Sequence, residues 1–171
     1  MYIIKYLTQN KAENYLFGNY IKGDYIKMND KDIVKELNAY LQGEYMGIHA
    51  YEHYIKHTND PKLKNELQRI QQEHKQHAAK TAEQIQNLGG KAVEDNGMKL
   101  SVQELMLRMK NYPDYNEGII KGVLKGQEMG IHQVEEIIRG DMDSKSLEIV
   151  KHNLDEDRAH IEQLNQLMMD E

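Results

Sequence analysis

The chain is 171 residues long, contains no cysteine and carries a formal net charge of −6. Without thiols, disulfides, thiolate zinc sites, iron–sulfur clusters and cysteine nucleophiles are all excluded, and an acidic chain without a basic run lacks the phosphate neutralisation that nucleic-acid binding needs. No stretch approaches the roughly 20 apolar residues of a membrane span, and the amino terminus lacks the compact apolar run of a signal peptide, so a cytoplasmic protein with neither membrane nor nucleic-acid partners is the expectation.

The length suits one domain with a continuous core. Two prolines and a charged fraction of 29% spread along the chain point to long amphipathic helices. Eight histidines and 28 acidic residues leave imidazole and carboxylate as the available metal ligands, a set that suits iron, manganese or zinc.

Residues 1–27 hold five of the eleven tyrosines and show no capping or heptad pattern. They are expected to be a poorly ordered extension, or to come from an upstream start, with Met28-Asn29-Asp30 as the natural beginning of a domain over 28–171.

From Asp30 to about His57, Ile33, Leu37, Leu41, Glu44, Ile48, Tyr51 and Ile55 fall on one helix face. Asp60 can cap the next helix, with Pro61 in its first turn. That second helix runs to Leu88, placing Leu63, Leu67, Ile70, His74, His77, Thr81 and Ile85 near one stripe before Gly89-Gly90 ends it. These two helices make a hairpin over 30–88.

Residues 89–113 form a crossover carrying a short helix from Ser101 to about Met109. A second hairpin covers 114–169. Its first helix is capped by Asp114 and Glu117 and continues to Arg139 through Ile120, Val123, Gln127, Ile131 and Val134; its second starts near Ser144 and turns Leu147, Val150, Leu154, Asp157, Ile161 and Leu164 inward.

A shift of 83 positions lays Leu41–His49 on Leu124–His132, including an uninterrupted Met-Gly-Ile-His, and without a gap lays Glu73 on Glu156 and His77 on His160. Amphipathic spacing alone does not reproduce glycines and histidines in one register. The expectation is an internally duplicated hairpin, each copy burying the apolar face of the other.

The chemistry-bearing residues follow that register. His74 and His77, and likewise Asp157 and His160, are three apart and so adjacent on a helix surface, where each pair can grip one ion. Glu44 faces them from the first helix, where a buried carboxylate needs neutralisation by metal or by a partner such as Tyr51 or a histidine. Glu73 and Glu156, four residues before His77 and His160, are alternative ligands, because sequence does not fix the rotation of either helix. The third helix is the weakest wall: Gln127 stands where Glu44 stands in the first, and Glu128 is the nearest carboxylate that could turn inward. His49 and His132, with Glu52 and Glu135, lie beside the stripe and suit a solvated or interface role.

The stretch Gly43-Glu44-Tyr45-Met46-Gly47-Ile48-His49-Ala50-Tyr51 and the pairs His74-Lys75-Gln76-His77-Ala78 and Asp157-Arg158-Ala159-His160 resemble the rubrerythrin and ferritin-like superfamily, in particular its small uncharacterised bacterial members. The family pattern is Gly-Glu followed by Tyr seven residues after the Glu, then Glu-x-x-His-Ala; here His74 and Asp157 stand where Glu is usual. The resemblance implies an all-α, ferritin-like four-helix bundle with a long crossover between helices 2 and 3. It implies Glu44 as a ligand, Tyr51 and Gln127 as neighbours of the ligands, and a pair of irons that meets dioxygen or peroxide as in an oxidase, peroxidase or ferroxidase; with His74, Asp157 and Gln127 in place of the usual carboxylates, a single metal or a histidine-richer pair is the alternative. A homodimer is the family habit. A non-catalytic structural or coat-type bundle, favoured by Gln127, and a metal buffer without turnover are the competing expectations.

Overall fold

The computed structural model describes residues 28–96, 102 and 116–169. Among these there are four long helices and no strand: α1 (Asp30–His57), α2 (Pro61–Asn87), α3 (Asn116–Ile137) and α4 (Ser144–Met169). No helix of the described residues is long and apolar enough to cross a membrane. The 1–27 extension and the Asp114 cap lie outside the described residues, and of the short 101–109 helix only Val102 is described, helical and buried.

Local chemistry sets the helix ends. The Asn29 side chain accepts from the Lys31 and Asp32 amides at 3.0 and 3.1 Å, satisfying donors that have no intrahelical partner, and Asp30 and Asp32 sit favourably against the positive end of the helix dipole. Asp60 caps α2 through the Leu63 amide, with Pro61 in the first turn. At the other end Gly89 takes φ +75°, a left-handed conformation that suits glycine, and the Gly90 amide closes onto the Ile85 carbonyl at 2.9 Å. Asp143 caps α4 through the Lys145 and Ser146 amides.

All neighbouring helices are antiparallel. α1 packs on α2 and α3, and α4 packs on α2 and α3. Thr58, just past α1, donates its hydroxyl to Asn116 at the start of α3, whereas the Met28 amide, before α1, donates to the Asp141 carbonyl beyond α3. Gln84 near the end of α2 likewise donates to Ser146 at the start of α4. α2 therefore ends at the opposite pole from where α3 begins. The connection between them must travel the length of the bundle, about 40 Å for a helix of 27 residues, which is the long crossover expected from the sequence.

The core is not continuous. One apolar cluster gathers Ile33, Leu37, Leu41, Ile85, Val150 and Leu154 toward one pole, and another gathers Tyr51, Tyr54, Leu67, Ile70, Ile120 and Leu164 toward the other. Between them lies a buried polar layer of Glu44, His74, His77, Gln127, Asp157 and His160. Six polar side chains at mid-bundle forgo the burial of apolar groups that would otherwise stabilise the fold.

Candidate metal centre

Each helix sends polar groups into this layer. α1 supplies Glu44, α2 supplies His74 and His77 one turn apart, α3 supplies Gln127, and α4 supplies Asp157 and His160. The layer is shut off from bulk solvent: Glu44 is 3% exposed, and His77 and His160 are each 1% exposed. Two groups of three residues bring ligand atoms within 4.8 Å of one another, Glu44 with His74 and His77, and His74 with Asp157 and His160.

The direct hydrogen bonds fix part of the geometry. His74 Nδ1 lies 2.7 Å from Glu44 Oε2, and the Gln127 amide donates to His160 Nδ1 at 3.0 Å. Burial opposes charge on Glu44, but His74 and His77 outweigh it and hold the carboxyl at about 2. Burial likewise opposes the His77 proton, yet Glu44 and Glu156 raise it to about 9, and Glu44 raises His74. Asp157 goes the other way, pushed up to about 6 by burial despite the attraction of His74, and burial lowers His160.

The outer nitrogens are held by carboxylates that cross between hairpins. His77 Nε2 meets Glu156 Oε2 at 2.8 Å, and His160 Nε2 meets Glu73 Oε2 at 2.6 Å. The two contacts are related by the same 83-residue offset that relates the sequences. A carboxylate on Nε2 fixes that nitrogen as the donor and turns Nδ1 inward, the arrangement that orients histidine ligands in metal sites. Glu73 is itself gripped by Arg69 at 2.6 Å, and Arg69 also binds Glu66 and Gln163. On the other side His152 stands 3.6 Å from Glu156.

The inward atoms test whether a metal fits. His74 Nε2, His77 Nδ1 and Asp157 Oδ1 are buried without a hydrogen-bond partner, which is costly unless something binds them. His77 Nδ1 lies 3.5 Å from Glu44 Oε1, His160 Nδ1 lies 3.6 Å from Asp157 Oδ1, and His74 Nε2 lies 3.9 Å from the same oxygen. These gaps are long for hydrogen bonds. Two ligands about 2.1 Å from one tetrahedral ion stand roughly 3.4 Å apart, so the separations fit nitrogen and oxygen donors sharing a cation.

Of the residues singled out in the sequence, Glu44, His74, His77, Asp157, His160 and Gln127 come together. Glu73 and Glu156 reach the outer nitrogens instead of the central space. Glu128 does not join: the α3 rotation that buries Gln127 leaves the next residue on the exposed face. Tyr51 is buried with its ring 5.4 Å from that of His74. His132 is exposed, while half-buried His49 binds the Asp95 carboxylate at 2.8 Å, a contact across 46 residues that no local pattern announces. Tyr40, one turn before Glu44 and seven residues after Ile33, was missed in the sequence although that spacing puts it on the same face; its buried hydroxyl accepts from Asn153 at 3.0 Å.

The architecture has solved counterparts. A two-domain protein from Anabaena variabilis, with DJ-1/ThiJ/PfpI-like and ferritin-like domains, matches with a TM-score of 0.68 at 19% identity over 84% of this chain; the match spans 38% of that longer protein. A dodecameric thioferritin, the bacterioferritin-related protein from Bacteroides fragilis, matches with a TM-score of 0.67 at 20% identity over 84% of this chain and 88% of its own length. The fold is thus ferritin-like. A search of curated proteins gave no match. Residues 32–140 match the family described as a domain of unknown function, DUF2383, and the chain belongs to that family.

Proposed function

We propose that the mid-bundle layer holds metal, iron by preference with manganese or zinc as alternatives, and that the protein is a non-haem iron oxidoreductase acting on dioxygen or peroxide. The carrying observation is the set of buried, unpartnered inward atoms of His74, His77 and Asp157. Glu44, His74, His77, Asp157 and His160 would be ligands. Bound iron would supply the redox chemistry, and the helices would fix the donors and exclude water. Glu73 and Glu156 would keep His160 and His77 in the ligating tautomer. We attribute the crossed His–Glu pairs to duplication of an ancestral hairpin.

The test is metal analysis of protein purified without affinity metals, followed by anaerobic Fe(II) titration and then oxygen and peroxide consumption. Stoichiometric iron, lost in the Glu44→Ala/His77→Ala double variant, is expected. Substoichiometric metal that does not rise on adding Fe(II) would overturn the reading.

A second reading is a structural bundle that keeps the fold without the chemistry. It is favoured by the partners already present, His74 on Glu44 at 2.7 Å and Gln127 on His160 at 3.0 Å. In that case the double variant changes stability alone. A metal buffer would bind iron but consume no oxygen. Sedimentation of the full chain would test the homodimer expected from family habit.

A further inference from the structure

α2 and α4 meet along a seam that the polar layer divides in two. Toward the pole where α2 ends and α4 begins, the seam holds Thr81 and Gln84 from α2 and Ser146 and Asn153 from α4. All four are buried, and Thr81, Ser146 and Asn153 have 0% exposure. The 83-residue register pairs them, in that order, with Leu164, Leu167, Leu63 and Ile70. These four belong to the apolar cluster on the far side of the layer, where α2 begins and α4 ends. One arrangement of helices is thus filled twice, once with apolar side chains and once with polar ones.

The apolar half shows that helix packing does not require polar groups at these positions. Nor do the polar groups satisfy one another. Gln84 donates to Ser146 at 3.0 Å, and Asn153 donates to the Tyr40 hydroxyl at 3.0 Å. Among the described residues, Thr81 Oγ1 and Asn153 Oδ1 have no hydrogen-bond partner. An unmet buried polar atom is costly, and leucine or isoleucine, present at the equivalent positions, would avoid that cost.

The two unmet oxygens stand at one level: Thr81 is one turn beyond His77 on α2, and Asn153 is one turn before Asp157 on α4. A threonine hydroxyl can donate and accept, and an asparagine carbonyl accepts. Buried groups of this kind ordinarily recruit water, which makes about three hydrogen bonds in such sites. Thr81 and Ser146 are also smaller than the leucines that stand in their places in the other half. Gln84, with 6% exposure, lies nearer the pole and reaches the surface.

We propose that this half of the α2–α4 seam is a hydrated path, in which internal water bonds Thr81 Oγ1 and Asn153 Oδ1 and links the polar layer to solvent at the pole marked by Gln84 and Ser146. The helices keep bulk solvent from the layer, and the seam admits water only as single molecules held between side chains. The path is one-sided, because Leu63, Ile70, Leu164 and Leu167 offer water no partner. It goes beyond the metal-binding reading and stands whether or not the layer holds a cation.

The test uses the full-length protein after chelator stripping, so its outcome is separate from that of the metal titration. A nuclear Overhauser effect from water should reach the Thr81 methyl and be absent at the Leu164 methyls, its register equivalents. Because the effect is read at the frequency of bulk water, it reports water that sits against Thr81 and also exchanges with solvent. Asn153→Leu, checked for helical content by circular dichroism, keeps the Thr81 hydroxyl and hence any signal relayed by that hydroxyl's own exchange. In this variant the Thr81 signal should fall to the Leu164 level. A crystal of the stripped wild type should show ordered water within hydrogen-bond distance of Thr81 Oγ1 and Asn153 Oδ1.

A Thr81 signal no stronger than that of Leu164, or one that persists in folded Asn153→Leu, would overturn the path. So would a crystal in which Thr81 and Asn153 bond protein atoms instead of water. Crystal water without the solution signal would be a trapped molecule and would overturn the link to solvent. The contrast between Thr81 and Leu164 in the wild type decides the question even if Asn153→Leu fails to fold.

Discussion

Glu44→Gln removes a charge from the polar layer while keeping its volume. In the metal-free protein Glu44 faces His74 Nδ1 at 2.7 Å and His77 Nδ1 at 3.5 Å in a buried environment. Breaking a buried pair by removing one partner costs about 3–5 kcal/mol. The histidines can relieve part of this by losing their protons, which puts the expected cost at the lower end, about 3 kcal/mol at pH 6. For a domain of this size that is a fall in Tm of roughly 6–12 °C. The pH window follows from the shifts. Glu44, lowered from 4.5 to about 2, contributes stability that is present above 4.5 and lost as pH falls through 2. His77, raised from 6.5 to about 9, contributes stability that is present below 6.5 and lost as pH rises through 9. The Tm difference between wild type and variant, read by scanning calorimetry on chelator-stripped protein, should therefore be largest between pH 4.5 and 6.5 and shrink toward pH 9. An unchanged Tm at pH 6, or a difference that widens above pH 9, would refute the reasoning.

Glu73→Ala and Glu156→Ala each leave one of the proposed ligands, His160 or His77, without the carboxylate on its outer nitrogen, and should weaken metal binding about 10–100-fold in calorimetric titration with little loss of helix. Gly90→Ala would place a Cβ 2.6 and 2.7 Å from the two Val34 methyls and 3.1 Å from Ile85; urea unfolding should register a loss of about 1–3 kcal/mol. Gly126→Ala in α3 meets nothing within 4 Å and should instead stabilise the protein by about 0.5–1 kcal/mol in the same assay. Gln127→Glu should raise the NMR titration midpoint of His160, now lowered by burial, and strengthen Fe(II) binding on the order of tenfold by adding a charged acceptor; a midpoint that stays put would mean that residue 127 does not face His160.

The long-range architecture was legible because periodicity reports which side of a helix is buried. Ile33, Leu37 and Leu41, chosen by spacing alone, are buried with at most 1% exposure, and the Asp60-Pro61 and Gly89-Gly90 signals fall at the ends of α2. The site was legible in composition but not in orientation. Positions 73, 74 and 77 all lie on one broad arc of α2, and sequence left open whether Glu73 or His74 turns to the centre. That choice is made by packing: His74 meets Glu44 on α1, while Glu73 leans to His160 on α4, 87 residues away. Pairing over such distances leaves no local trace, and neither does the hydrogen bond of Tyr40 to Asn153 or of His49 to Asp95.

The departure of Gln127 from the 83-residue register is a difference in hydrogen-bond polarity as well as charge. Glu44 only accepts, so His74, whose Nδ1 lies 2.7 Å from it, keeps a proton on that nitrogen. Gln127 donates to His160 Nδ1, so that nitrogen must present its lone pair, while the opposite nitrogen gives its proton to Glu73. The α1 side of the layer therefore favours a carboxylate beside protonated imidazole, and the α3 side favours a neutral imidazole that accepts at Nδ1. On the proposed metal-binding reading, a cation arriving at His160 would displace only an amide hydrogen bond. One arriving at His77 would meet an imidazole whose proton is favoured by the charges of Glu44 and Glu156. The two hairpins carry His77 and His160 at equivalent positions of the 83-residue register, yet their halves of the layer differ in where protons sit, and the difference traces to Gln127 in place of Glu44 and Asp157 in place of His74.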